Sequence, residues 1–415
     1  MVEEETLDFR ADRDATLKLI DWFDIDRART SKVLVVGAGA IGNEALKNLA
    51  LLGVGHIYIF DRDTIEMSNL SRSVLYTGAD MGQSKAHTAA RRLREINASV
   101  RTYWNDGDIY SDLGEGLIRR MDAVIGCLDN MNARLLLNRL CWRVGKPWID
   151  AGIGSLNGHV RVFHPPNGPC YECALPEDHD RRQAVGESCR VIARRQVDQG
   201  RIPTTPTIAS IVGAVQVQEC LKLLDAKRWE GRSLAGRQFD FYGEFAAADV
   251  TGLPAREGCL VHDETIDPHL IVEMPKAHSQ MTAAALMVAA KRVLPDAYLV
   301  LPDEVAVEWR CRLCGAAYPL LRPLPSLYQG DLICESCGHE PTWESEIKLT
   351  HKVSANHSPR ALLEATLRAL GVPRFGLVEA RGSNGEVRFL ELTGDANQSV
   401  IAEPPPVSRT GDSVL

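Results

Sequence analysis

Four things are missing from this 415-residue chain, and each narrows its class. Basic residues are not in excess: 47 Lys and Arg stand against 55 Asp and Glu, a formal net charge of -8. With no basic stripe to displace counterions, a general nucleic-acid binder is not expected. No apolar run reads as a membrane span; the best candidate, residues 281–290, is cut by Lys291 and Arg292. The first residues are acidic and do not read as a secretory leader. The eleven cysteines do not form a disulfide framework either, because eight fall into metal-like or reactive settings. That usage suits a reducing compartment and predicts a cytoplasmic protein.

What the chain does have is organised around residues 31–63. Residues 33–36 are a continuous apolar run, as in a parallel strand buried on both faces. Gly37, Gly39 and Gly42 then follow the G-x-G-x-x-G pattern, and Ile41, Ala45, Leu46, Leu49 and Leu52 fall on one helical face up to Gly53. Such a turn lets backbone N–H groups approach a phosphate at a helix N-terminus. A second strand, residues 56–60, ends in Asp61, placed to bind ribose hydroxyls. On these residues alone a nicotinamide-dependent dehydrogenase fits equally well.

The residues that follow favour a triphosphate. Asp63 comes two residues after Asp61, then the run from Asn69 to Arg72, then Gly82 to Ala86 with Lys85, then Asp129-Asn130 with Arg134. A dinucleotide asks for no such cluster of cations and metal-capable carboxylates. The alternation of strands and helices continues to Asp150 and predicts a doubly wound sheet. It breaks at Gly152, where residues 152–166 read as antiparallel strands with a turn at Asn157-Gly158. Residues 203–224 predict a closely packed helix, and residues 239–243 a last strand.

The ordered set D-x-D, N-L-x-R, G-x-x-K-A and D-N-x-x-x-R resembles the superfamily of ubiquitin-like-protein activating enzymes, which includes the molybdopterin- and thiamine-biosynthesis adenylyltransferases. The resemblance covers residues 10–262. It implies ATP-dependent adenylation of the C-terminal carboxylate of a ubiquitin-like or sulfur-carrier protein. Gly37, Gly39 and Gly42 would approach the nucleotide, Asp61 the ribose, and Asn69, Arg72 and Lys85 the phosphates. Asp129, with Asp63 and Asn130 nearby, would hold Mg²⁺, a hard cation that prefers oxygen ligands. Ser71 and Ser73 depart from the Asn and Gln common in the family. Arg13, in Arg10-Ala11-Asp12-Arg13, resembles an arginine that reaches the partner subunit's triphosphate, and a single adenylation domain in the chain implies a homodimer, as in the simpler members of the superfamily.

Cysteine spacing supplies two metal sites. Cys170 and Cys173 form a knuckle whose second half, by resemblance, is Cys259 with His262, a Cys₃His set for structural Zn²⁺. Cys311/Cys314 and Cys334/Cys337, each pair followed by Gly, have the spacing of a second zinc site. Cys189 lies in a polar loop 16 residues after Cys173, where relatives carry the cysteine that accepts the activated protein as a thioester. Arg190, Arg194 and Arg195 would lower its pKa. Cys127, Cys141 and Cys220 read as core.

The expected fold class is therefore α/β: a doubly wound Rossmann-like adenylation domain with a zinc site, plus a C-terminal zinc ribbon and a small α+β domain. The expected division is a helical arm (1–30), the adenylation domain (31–265) with its catalytic-cysteine loop (176–200), a connecting segment (266–304), the ribbon (305–343), the small domain (344–395) and a disordered tail (396–415). The small domain reads strand, helix, strand, strand, with the helix running to Leu370, and resembles the ubiquitin-type fold that docks a conjugating enzyme. Two alternatives stand beside conjugation: a sulfur-carrier adenylyltransferase and a non-catalytic zinc-stabilised adaptor.

Overall fold

The computed structural model of the chain describes residues 8–175, 203–327, 332–339, 347–397 and 401–402. Cys189 and the loop 176–200 lie outside the described residues. The first sheet contains β1 (Lys32–Val36), β2 (His56–Phe60), β3 (Arg101–Asn105), β4 (Ala123–Gly126), β5 (Trp148–Ile153), β6 (Asn157–Phe163), β7 (Arg237–Tyr242), β8 (Ala247–Gly252) and β15 (Ile401–Ala402). They stand in the order β15-β3-β2-β1-β4-β5-β6-β7-β8. β1 to β5 are parallel, and the strands from β6 onward pair antiparallel.

The helices of this half are α1 (Ala15–Lys18), α2 (Ile25–Thr30), α3 (Ala40–Leu51), α4 (Lys85–Ile96), α5 (Ile109–Asp112), α6 (Glu115–Ile118), α7 (Met131–Arg143), α8 (Pro206–Leu224) and α9 (Leu260–Asp263). They sandwich the sheet, which is why β1 and β4 read as unbroken apolar runs. Val33 and Val35 point into one core with α3, α4 and α8, while Leu34 and Val36 point into the opposite core with Leu137, Trp148 and Phe163. The alternation of side chains along a strand divides the two cores.

Several expectations need correction. The long apolar helix is α8, not 281–290: over 19 residues it is apolar enough to cross a membrane by length and composition, yet it lies on β4, β5, β6 and α3 with most of its length buried. Asn157 and Gly158 belong to β6 rather than to the turn, which Gly154 N closes on Asn157 O. β7 is followed by β8, so it is not the last strand of the sheet. Within the tail expected to be disordered, Ile401 and Ala402 pair with Trp104 and Tyr103. The exposed edge of β3 offers unpaired backbone groups that any extended segment satisfies.

The second sheet contains β9 (Ile271–Glu273), β10 (Tyr298–Arg310), β11 (Ala317–Pro323), β12 (Ile347–Val353), β13 (Leu377–Arg381) and β14 (Val387–Glu391), with α10 (Ala283–Val293) and α11 (Arg360–Glu364). Its order is β11-β10-β13-β14-β9, and β12 also pairs with β10. The division at 304 and 343 is therefore not where the structure divides: one sheet takes strands from the connecting segment, the ribbon and the small domain together. The reason is β10. Its 13 residues pair with β12 from Leu299 to Trp309, with β13 at Tyr298 to Val300 and with β11 at Val305 to Arg310. The apolar face of α10 needs that whole sheet, and Ala283, Leu286, Met287 and Ala290 pack on Leu299, Leu301, Val378 and Leu390. The helix expected to run to Leu370 stops at Glu364, where Ala365 turns extended.

The two sheets are joined through α6. Phe375 is buried in the core that holds Leu34 and Val36, beside Leu117 and Ile118, and its carbonyl accepts from Gly116 N. The Glu391 carboxylate, with no exposed side-chain surface, receives Arg119 Nε at 2.5 Å and also pairs with Arg120.

Candidate active site

Parallel pairing places the carboxyl ends of β1, β2 and β4 at one edge, where ligands bind in open α/β sheets. Val36 is beside Phe60 on one flank and Gly126 on the other. Gly37 and Gly39 follow β1, Asp61 and Asp63 follow β2, and Asp129 and Asn130 lie just past β4, so these predicted residues share one crevice. Strands β2 and β4 flank β1, which makes this the point where the strand order reverses.

The turn itself is built for close approach. Gly37 has φ +99°, and a Cβ there would meet Cys127 O at 2.3 Å. A Cβ on Gly42 would meet Gly37 O at 2.0 Å, whereas Gly39 faces open space. Gly42→Ala therefore forces the turn away from α3, and about 1–3 kcal/mol of stability should be lost. The urea midpoint measures it; an unchanged midpoint would mean that the helix and turn separate freely.

Two side chains unread in the sequence brace this turn. Buried Asn43 donates from Nδ2 to Ala38 O (2.7 Å) and Gly39 O (3.0 Å), while its Oδ1 accepts from Leu75 N. Tyr76 donates from its hydroxyl to Ala38 O at 2.7 Å. A polar residue on the apolar face of α3 was the available signal for Asn43. Asp61 accepts from Ala38 N (2.6 Å) and Asp63 N (2.8 Å), and burial pushes its carboxyl pKa up. Lys85, at the first position of α4, has its Nζ 2.9 Å from Asp63 Oδ2.

Asn69 Oδ1 caps Glu66 N, and Arg72 Nη1 donates to Ser68 O at 2.8 Å, so both belong to the loop between β2 and α4. Asp129 is exposed, and Asn130 Oδ1 caps α7 at Ala133 N. The donor chemistry fits a nucleotide with a hard cation: backbone N–H groups and Lys85 for phosphate, and an exposed carboxylate for the metal.

Arg13 is not brought to this edge. Its Nη1 is 3.4 Å from Leu51 O, at the far end of α3 from the glycine turn. A 12-residue helix puts them about 18 Å apart, so Arg13 cannot serve its own chain's crevice. Cys127 is also not simple core: it is half-buried at the crevice floor, with its Sγ 3.5 Å from Gln216 Oε1, and burial raises its thiol pKa.

Two groups of four metal-capable side chains lie elsewhere. Cys170, Cys173, Cys259 and His262 converge: Sγ atoms of Cys170 and Cys173 are 3.7 Å apart, those of Cys170 and Cys259 3.6 Å, and Cys173 Sγ is 3.5 Å from His262 Nε2. Trp142 of α7 stacks on His262 at 4.4 Å. Cys311, Cys314, Cys334 and Cys337 form the second group, with Sγ separations of 3.6 Å (Cys311–Cys337) and 3.5 Å (Cys314–Cys334). Edges of this length suit a tetrahedron around an ion with metal–sulfur bonds near 2.3 Å.

The profile described as the ThiF family matches residues 11–259. The chain is 38% identical over 197 residues to adenylyltransferase and sulfurtransferase MOCS3 of Mus musculus, covering 48% of this chain and 40% of that protein. It is 33% identical over 204 residues to the sulfur carrier protein adenylyltransferase of Thermus thermophilus, 48% of this chain and 71% of that protein. With ubiquitin-like modifier-activating enzyme 5 of Dictyostelium discoideum it shares 31% over 225 residues, 51% of this chain and 57% of the relative. The matched stretch thus spans less than half of the mouse protein's length, and the second sheet lies beyond it.

Proposed function

The chain belongs to the ThiF family, and from that premise we propose that it is an ATP-dependent activating enzyme that adenylates the C-terminal carboxylate of a small ubiquitin-like protein. The observation that carries this reading is the shared crevice: the glycine turn, the Lys85–Asp63 pair and Asp129 converge where the strand order reverses. ATP supplies an α-phosphorus open to attack and pyrophosphate as the leaving group. The residues around it hold charge and exclude alternatives. Backbone N–H groups at Gly39 and the N-terminus of α3 receive phosphate, Asp61 the ribose, and Lys85, Arg72 and Asn69 stabilise charge that grows on phosphate oxygens. The attacking carboxylate is already ionised at neutral pH, so no general base is required. Asp129 would hold Mg²⁺.

The position of Arg13 supports a homodimer in which each chain's arginine completes its partner's site. Both tetrads are assigned Zn²⁺ in a structural role, since all four donors of each are protein side chains. Thioester capture on Cys189, transfer to a conjugating enzyme and action in the cytoplasm complete the reading. A sulfur-carrier adenylyltransferase is the second reading, favoured by the Thermus relative's name and by the share of that protein covered. The nicotinamide-dependent dehydrogenase is set aside, because the family match points to adenylation.

The test is ATP–pyrophosphate exchange with purified ubiquitin-like and sulfur-carrier proteins. Exchange is expected with a free C-terminus and should vanish when that carboxylate is amidated. Exchange that persists with the amide, or never occurs, overturns the assignment. A reducible adduct lost in Cys189→Ala supports conjugation; exchange with no adduct leaves the sulfur-carrier activator.

A further inference from the structure

The backbone ladder between β4 and β5 ends at the pair Gly126–Asp150. Beyond it the two strands separate, and the carbonyls of Leu128 and Ala151 have no strand partner across the gap. Arg134, in the second turn of α7, fills that place: its Nη2 donates to Leu128 O at 2.7 Å and to Ala151 O at 2.8 Å. One step closer to the ladder, Gln216 of α8 bridges Gly126 O (2.9 Å) and Ile149 O (3.3 Å) in the same manner. The side chains of two helices therefore continue the sheet where its backbone cannot, and Leu128 is the residue immediately before Asp129.

Arg134 is itself held by Asp150, whose carboxylate has no exposed surface and lies with Oδ1 3.0 Å from Arg134 Nε. Among the described residues no side chain donates a well-aligned hydrogen bond to either carboxylate oxygen; Arg134 is the closest compensating charge, Arg161 adds a weaker attraction and the Ala151 backbone a further one, while His159 Nε2 stands 4.0 Å from Oδ2. Burial holds His159 neutral, far below the usual imidazole range, so it adds no further cation near neutral pH. Tyr171, between the metal-capable Cys170 and Cys173, also bonds to the Arg134 side chain. Only a guanidinium can meet a carboxylate through Nε and two carbonyls through one Nη; a lysine ammonium has no such fork.

We propose that Asp150 is a positioning residue for nucleotide activation: it locks Arg134 across the ends of β4 and β5, and thereby fixes the direction in which Asp129 is presented to the divalent cation. The inference rests on the reading of Asp129 as the cation's ligand. It predicts a defect in metal binding rather than in nucleotide binding. A partner one step removed from a ligand commonly changes metal affinity by about 10–100-fold.

The test uses the full chain with ATP and Mn²⁺ as a spectroscopic probe for the cation. Asp150→Asn keeps the shape and removes the charge. The expected result is Mn²⁺ binding in the presence of ATP, read by electron paramagnetic resonance, weakened about tenfold, with metal-free ATP affinity unchanged. A Mn²⁺ affinity equal to wild type in the folded variant overturns the proposal, as does a parallel loss of metal-free ATP binding. Should Asp150→Asn fail to fold, Arg134→Lys keeps the charge pair and loses the carbonyl bridge, and the same tenfold weakening is expected. Wild-type affinity in that variant is equally fatal. Because Mn²⁺ binding is read without any protein substrate, absence of pyrophosphate exchange in wild type would reject the proposed activity without touching this result.

Discussion

Lys85→Met is expected to lower ATP–pyrophosphate exchange by about 10²–10³-fold while barely moving the urea midpoint. The side chain is largely sequestered, and it pairs with Asp63, itself more than half exposed. An ion pair with a solvated carboxylate contributes on the order of 0–1 kcal/mol to folding. A preorganised cation facing phosphate oxygens contributes about 2.7–4 kcal/mol to a transition state that builds charge there. The two roles therefore separate by measurement. Methionine retains the length of the stem and its packing at the start of α4, so the exchange rate reports on charge. A variant that exchanges within a factor of three of wild type, or one whose lost activity tracks a lowered midpoint, would reduce Lys85 to a structural partner of Asp63.

Glu391→Gln should cost about 3–5 kcal/mol, the usual effect of breaking a buried pair by removing one partner. The carboxylate receives Arg119 Nε and Arg120 Nη1, and the same guanidinium groups reach Glu273 on β9. Both arginines keep some solvent contact, which places the expected value near the lower figure. Glutamine keeps one acceptor oxygen and puts a donor NH₂ opposite a cation, so the clamp loses its charge and gains a repulsion. Urea unfolding followed by the near-ultraviolet signal of the tryptophans measures it. Unfolding that stays within 0.5 kcal/mol of wild type, a margin typical of neutral surface changes, would show that the Glu391 charge is dispensable and that the remaining contacts, Phe375 and Glu273 among them, hold the two sheets together.

How far the sequence carried can be traced residue by residue. The glycine turn was legible because everything it needs is local: an apolar strand, three glycines at fixed spacing and a helix face within 20 residues. The eight metal-capable side chains were legible from pair spacing, although Cys259 and His262 lie 89 residues beyond their partners Cys170 and Cys173. Asn43, Arg134 and Asp150 were harder. Each is a polar residue in an apolar setting whose partners are backbone carbonyls or a buried guanidinium, and no spacing rule encodes a carbonyl. The second sheet was misdivided for a different reason. Pairing of β14 with β9 and of β10 with β13 joins strands separated by some 80 to 120 residues, so a window reading from strand to strand sees fragments where the chain closes a single layer. Arg13 was assigned to a triphosphate by pattern, and distance along α3 shows which triphosphate it cannot be.

Phe375 also bears on how the chain is made. Its ring completes a core whose other buried members lie between Leu34 and Tyr171, with Leu175 and Leu253 packed at its margin, and Gly116 N and Glu115 Oε2 wait for Phe375 O and Leu377 N. A ribosome adding about 5–20 residues per second delivers that plug only after roughly 200 further residues, on the order of ten to forty seconds after Tyr171. During that interval the hollow beside α6 is lined by Leu117 and Ile118 without a cover. The first half of the nascent chain would then expose that apolar hollow until the second sheet arrives, so chains truncated before residue 375 should be captured by holding chaperones while chains extending past 391 escape.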